Sequence, residues 1–354
     1  MFVVLLIPVL LGMAGLAIDF GGMAGERREL QNAADSIALA ASQELPDEAA
    51  AYAKADEWAA KNGIDPARMT VVVMGGSIEP KVVVRIDRPY ELHFLKAVGI
   101  ESRNVTARAA AIKASFGGGA AVVPWSIEQP TLEDATNGSS FVIKYDANNG
   151  ANGNFNAVRL DGSGASDYEE SATFGSDSQL CAVSTANCTV AACSGSSSDG
   201  CAETAPQCTG PECRPKTGNM TGPTRDAVDY RISHTSPQCD TFAETFPTQK
   251  ADGTYQISPS CNPWNGPGVC TSPTDLCSRR VLVIPVVDDF GNGSSDPVEI
   301  QRFALVYLEG YANGSCTGNS CEINARFVRA ELGVNALAGI YEPEAPIQFV
   351  RLVE

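Results

Sequence analysis

The chain has 354 residues, with 42 Asp and Glu against 25 Lys and Arg and a formal net charge of −17. No basic cluster larger than a pair accompanies that acidity, which argues against a nucleic-acid binder, because phosphate contact needs a basic face. The length permits a substantial core in two soluble units, and the thinly spread acidity reads as a solvated surface.

Residues 1–41 read as one continuous helix that changes solvent partway along. Residues 1–18 carry no charge; at about 1.5 Å per residue they reach roughly 27 Å, close to a hydrocarbon core of about 30 Å. Asp19 closes that run. Beyond it Leu30, Ala33, Ala34, Ile37, Ala38 and Ala41 fall on one stripe, with Glu26, Arg27, Arg28, Gln31 and Asp35 largely off it, the pattern of a helix packed on one side. A retained anchor is the expectation over a cleaved signal, since no basic n-region precedes the run, although Gly22-Met23-Ala24 has the small residues of a cleavage site. Pro8 is tolerable inside a span. Gly12, Gly15, Gly21 and Gly25 offer close approach to another helix, so a helix-mediated oligomer is among the expected partners.

Pro46 ends this helix. A second is expected from about Asp47 to Lys61, with Ala51, Ala55, Trp58 and Ala59 on one face and Asn62-Gly63 as the stop. Residues 69–74 and 81–86 are β-rich and separated by Gly75-Gly76-Ser77, which reads as a hairpin. Residues 90–95 form a helical turn or short strand, and 105–114 a strand whose Val105, Ala107, Ala109 and Ala111 alternate onto one face. Residues 116–120, with three glycines in sequence, are the expected linker. Short strands follow at 121–124, 141–145 and 157–160. After a stretch with almost no periodicity, strands resume at 280–287, 298–308, 322–329, 333–340 and 347–353, favouring an antiparallel sheet or sandwich.

All 12 cysteines lie between Cys181 and Cys321. An even number in a loop-rich region points to disulfides in an oxidising compartment. CAVSTANCTVAAC and CAETAPQCTGPEC repeat the spacing C-x6-C-x4-C, and CTGNSC repeats its last piece. Local closure is expected for Cys188 with Cys193, Cys208 with Cys213 and Cys316 with Cys321. Cys181 and Cys201, and the set Cys239, Cys261, Cys270 and Cys277, pair in some other way. Structural zinc is the competing account, but it takes four ligands per ion in C-x2-4-C knuckles, and here the pairs sit at the long end, x4, with Pro, Gly and Ser between them. His93 and His234 are isolated and read as ordinary surface or half-buried residues.

No cofactor is expected. Calcium is the one candidate ion: Asp146, Asn148 and Asn152 alternate oxygen ligands, and Asp288, Asp289, Asn292 and Asp296 cluster in a turn. Neither completes a calcium loop; in the first, Ala157 stands at position 12, where a bidentate Glu belongs. Asn-Gly turns account for both runs without an ion. Ser163 lacks the G-x-S-x-G setting of a nucleophile and has no histidine partner. An enzyme is therefore not expected.

The run IPVLLGMAGLAIDFGGM leading into ERRELQNAADSIALAA resembles the N-terminus of the TadE/TadG-like proteins of bacterial tight-adherence (Flp) pilus systems. NGID, VVVRIDRPYELHF, NVTARAAA, VPWSI, NFNAVRLDGSGASDY, GNMTGPT and RRVLVIPVVDD have the look of the larger, TadG-like branch. The chain opens inside the apolar run without the short basic leader that the family carries, so truncation or a misassigned start is the expectation. The resemblance implies a structural component of the pilus machinery, held in the cytoplasmic membrane through residues 1–18 with its C-terminal domain on the extracytoplasmic side. Other pilus or envelope proteins would be its partners. The alternative is a cell-surface adhesin or ligand-binding module on a single-span anchor. The expected fold class is α+β. Residues 1–43 form the transmembrane anchor and continuing amphipathic helix, 44–115 a small α+β unit, and 116–354 a β-rich domain with a disulfide-rich insertion at about 181–277.

Overall fold

The computed structural model describes all residues except 1, 77–79, 120, 148–153, 179, 184, 186–207, 210–211, 251–252, 265–277, 291–296, 332–336, 340–344, 346 and 354, and leaves aside the side chains of 2–11, 98, 154, 209, 331 and 337–339. The fold is α+β. The chain divides into two compact units, residues 1–113 with 350–354, and residues 114–349.

In the first unit α1 (Phe2–Ser42) runs unbroken from the apolar segment into the stripe read from the sequence. A turn containing a cis Leu45–Pro46 bond leads to α2 (Glu48–Lys61), whose N-cap Asp47 accepts a bond from the Ala50 N–H. That side chain satisfies one of the amides a helix start leaves without a partner. Strands β1 (Met69–Met74), β2 (Lys81–Glu91) and β3 (Ser102–Gly119) pair antiparallel in that order. Leu30, Ala33, Ala34, Ile37, Ala38 and Ala41 of α1 meet Ala51, Ala55 and Ala59 of α2 and the Val82, Val84, Ile86, Val105, Ala107, Ala109 and Ala111 face of the sheet in one buried cluster. Alanine at so many contact positions lets the helices approach closely; larger side chains would overpack the layer. Lys113, itself buried, donates to the carbonyls of Gln43 and Leu45 and so satisfies the orphan end of the helical hairpin. Edge strand β1 is partly closed by α2, with Tyr52 and Glu48 accepting the N–H groups of Val73 and Gly75.

The second unit holds β4 (Ile127–Glu128), β5 (Ser140–Lys144), β6 (Asn154–Val158), β7 (Leu180–Cys181), β8 (Cys208–Thr209), β9 (Glu212–Cys213), β10 (Pro215–Thr217), β11 (Thr248–Gln249) and β12 (Tyr255–Gln256). It continues with β13 (Val281–Val287), β14 (Val298–Tyr311), β15 (Ile323–Val328), β16 (Ala330–Glu331), β17 (Leu337–Gly339) and the first residues of β18 (Ile347–Val353). The main sheet has the order β4-β13-β14-β15-β5. It is antiparallel except where β4 joins β13 in parallel, and β16 pairs in parallel with both β12 and β18. Helices α3 (Gln129–Asp134), α4 (Ala165–Phe174), α5 (Thr221–Ser233) and α6 (Phe242–Thr245) complete the unit. Its core collects Trp125, Ile127, Ile143, Tyr168, Ala172, Ala227, Val228, Ile284, Ala304, Leu308 and Phe327. At its centre Trp125 Nε1–H donates to the Tyr168 hydroxyl at 2.8 Å, and that hydroxyl shares a 2.9 Å bond with Thr224 Oγ1. Burial pushes the Tyr168 hydroxyl up to about 12, so it stays neutral.

Two expectations need correction. Residues 116–119 are not a linker: they continue β3, paired with β7 and β17, and Phe116 is buried edge-on to Phe303. The glycines read as flexible are there for close approach, since a Cβ on Gly118 would fall onto the Leu180 carbonyl. The stretch 181–277 is not wholly an insertion either. Within it α5 puts Thr224, Ala227, Val228 and Arg231 into the core, with Arg231 donating to the Ala172 and Arg279 carbonyls. As to the expected membrane span, which stays untested, among the described residues no helix is long and apolar enough to cross a membrane. The expected span at 1–18 falls largely on side chains outside the description.

Candidate functional site

Among the described residues of the first unit the buried acid is Asp19, the residue that ends the apolar run. It lies fully buried on α1, facing the segment that follows β2. There Leu92, also buried, donates to Glu101 O, and the chain turns into a 3₁₀ helix, Leu95–Val98. Gly99, at φ +84°, closes that turn in the left-handed region, where glycine alone is at ease. The entry to the turn points three N–H groups at one carboxylate: His93 N–H donates to Asp19 Oδ1 at 2.8 Å, and Phe94 and Leu95 N–H donate to Oδ2 at 2.9 and 2.8 Å. Burial by itself raises the pKa of the Asp19 carboxyl, but the three N–H bonds outweigh it and hold the group below the usual carboxylate range. A buried charge with that many donors is a pin between helix and turn.

The contacts above and below extend the pin along α1. Gly15 lies against Phe94, where a Cβ would come within 2.8 Å of the ring, and Gly22 lies against Tyr90. Gly12, Gly21 and Gly25 have open space beside them. Of the glycines read as room for a second helix, Gly15 serves an aromatic ring of the same chain, as does Gly22, which was not among them. Further along, Arg88 bonds Glu26 at 2.8 Å, and Gln31 spans from Asp35 to the Arg108 carbonyl. Met13, Leu16, Ile18, Phe20 and Phe94 remain 39–63 % exposed. Sequence reading treated Asp19 as the end of a hydrophobic run and missed its partners. The signal was a first charge sitting one residue past the apolar stretch, with nothing local to neutralise it.

The predicted cysteine pairs are partly in view. Cys208 bonds Cys213 and Cys316 bonds Cys321, and from the remaining set Cys239 bonds Cys261. Cys181 is also disulfide-bonded. Cys188, Cys193, Cys201, Cys270 and Cys277 lie outside the described residues. Within the loop closed by Cys239–Cys261 lie Phe242, Phe246 and Tyr255, whose rings gather with that of Tyr307, and Arg326 lies 4.8 Å from the centre of the Phe242 ring.

The calcium candidates do not come together as a described site. Asp146 is buried, Asp288 accepts the Glu299 N–H, and Asp289 is exposed. Asn148, Asn152, Asn292 and Asp296 lie outside the described residues. Among the described residues no group of three or more His, Cys, Asp or Glu is arranged to hold a metal ion. The cation beside Asp146 is Lys144, whose Nζ donates to the carbonyls of Tyr145 and Cys321 and to Asn219 Oδ1. Burial lowers the Lys144 pKa to about 8, against the pull of Asp146 and Glu322. His93 is exposed, with its backbone N–H on Asp19; the His234 ring stacks on Tyr230 at 3.9 Å. Ser163 offers its carbonyl to Lys216.

Residues 1–53, covering α1, the turn and the first residues of α2, match the family model described as putative Flp pilus-assembly TadE/G-like. No curated protein matches the chain, and no solved structure does.

Proposed function

We propose that this protein is a membrane-anchored, extracytoplasmic structural component of a bacterial Flp/tight-adherence pilus system, of the larger TadG-like branch. Residues 1–18 are the single-pass anchor, and the second unit faces the outside, where its disulfides persist. The role is assembly through contacts with other pilus or envelope proteins, without enzymatic chemistry or a cofactor. One observation carries the reading: the segment that matches the pilus-assembly model is the helix that passes without a break from the apolar run into the core of the first unit. A helix shared in this way couples the folded unit rigidly to whatever holds its N-terminal half.

The test is genetic. Strains lacking the protein should lose surface filaments under electron microscopy, and full-length protein should restore them where a form without residues 1–18 does not. Undiminished filaments in the deletion strain would refute the assembly role. Replacing residues 186–207 by a short Gly-Ser linker, which spares α5, separates the adhesin alternative: attachment lost with filaments intact would favour it.

A further inference from the structure

We infer that the turn at residues 93–96 is a second membrane contact, a wedge that enters the outer edge of the bilayer beside the helix. The inference rests on the reading of residues 1–18 as an anchor and adds a contact that reading does not require. It follows from depth. Phe94 packs on Gly15, four residues inward of Asp19, and a helix rises about 1.5 Å per residue, so Phe94 sits about 6 Å to the apolar side of the carboxylate. The three N–H bonds to Asp19 prevent the turn from sliding outward. If the apolar run is immersed up to Ile18, Phe94 is immersed with it.

The exposed surface at this level agrees. Phe94 is 50 % exposed, and Met13, Ile18 and Phe20 are 55–63 % exposed. Residues 12–18 hold no polar side chain, so the helix part of this girdle lacks the polar rim that surrounds a protein-docking patch, and the exposed polar residues of the turn, His93 and Lys96, flank Phe94 where the bilayer meets water. Hydrocarbon is the partner that fits an apolar surface continuous with a membrane-length run. Exposed Lys96 follows directly, placed to reach outward to lipid phosphates along its aliphatic stem. Asp19 gains a purpose from this arrangement. Its carboxylate turns the three donors of the turn's entry inward, so that the turn presents side chains rather than bare amides to lipid.

The test uses the full chain reconstituted into phosphatidylcholine/phosphatidylglycerol vesicles containing lipids brominated at shallow or deep acyl positions. Tryptophan emission of Phe94→Trp and of Leu5→Trp is compared with that of the parent, whose three tryptophans supply the background. The emission added at position 94 should fall by about half with shallow bromines and less with deep ones, as for a group about 5–10 Å into the boundary. In the unaltered protein, a phosphatidylcholine carrying a diazirine on its acyl chain should label the peptide containing Phe94 and Leu95. If position 5 is quenched while position 94 and its peptide stay unquenched and unlabelled, the wedge is refuted and the anchor stands. If position 5 is also unquenched, the anchor reading fails and takes this inference with it.

Discussion

Replacing Cys239 and Cys261 together by alanine should lower the stability of the second unit more than removing any other described disulfide. The bridge closes a sequence separation of 22, whereas Cys208–Cys213 and Cys316–Cys321 each close 5. In the chain-entropy account a cross-link stabilises by restricting the unfolded chain, more for a longer loop. That gives about 3.4 kcal/mol for Cys239–Cys261 and about 2 kcal/mol for each short loop at room temperature. Both Cys239 and Cys261 are fully buried, so a small packing loss adds to the larger figure. The assay is denaturant unfolding of full-length protein in mild detergent, followed by the near-ultraviolet signal of the buried Trp125 environment. The variant should lose roughly 3 kcal/mol relative to the oxidised parent. A Cys208→Ala/Cys213→Ala variant that costs as much or more would refute loop closure as the cause. A long-loop variant within about 0.5 kcal/mol of the parent would show that the bridge is not a determinant of stability.

Asp19→Ala should release the turn at residues 93–95. Hydrogen exchange of the His93, Phe94 and Leu95 amides then accelerates at neutral pH, while the β2–β3 amides stay protected. Because the Asp19 pKa is held down, in the parent this protection is complete above the ordinary carboxylate range and is lost as pH falls below it; unchanged protection in the variant would contradict the pin. Tyr168→Phe leaves the buried Trp125 Nε1–H and Thr224 hydroxyl without their shared partner, at a cost of about 1–3 kcal/mol in unfolding experiments; a neutral result would exclude that network as a stabiliser. For Lys144, a pKa of about 8 against an ordinary 10.5 means that the folded state binds fewer protons between those values. Stability from this group therefore rises with pH across that window, by roughly 3 kcal/mol. Lys144→Met should flatten that part of the pH profile measured against the parent.

How much was legible depended on whether a residue's role was local. The alanine stripe of α1, the Asp47 cap of α2 and the small-residue face of β3 follow from periodicity and capping, which act over a few residues. The short Cys-x4-Cys pairs, seen at Cys208–Cys213 and Cys316–Cys321, were also legible because so short a loop brings its own ends together. By contrast, α5 (TGPTRDAVDYRIS) has a weak apolar stripe and a polar composition. Its helix is held by Arg231 spanning two backbone carbonyls and by Thr224 on the Tyr168 hydroxyl, partners that no window of sequence contains.

By itself the sequence determined that a membrane-length apolar run is joined to an amphipathic helix, that β-structure dominates the rest, and that the sulfur chemistry is confined to the C-terminal part. Only the tertiary structure decided that residues 116–119 form strand rather than tether, because glycine signals freedom in isolation and close approach when a neighbouring backbone lies against it. It likewise decided what Asp19 is for. The amides that hold its charge lie 74–76 residues further along the chain, and a carboxylate's partner at that distance is chosen by the folding of the sheet between them.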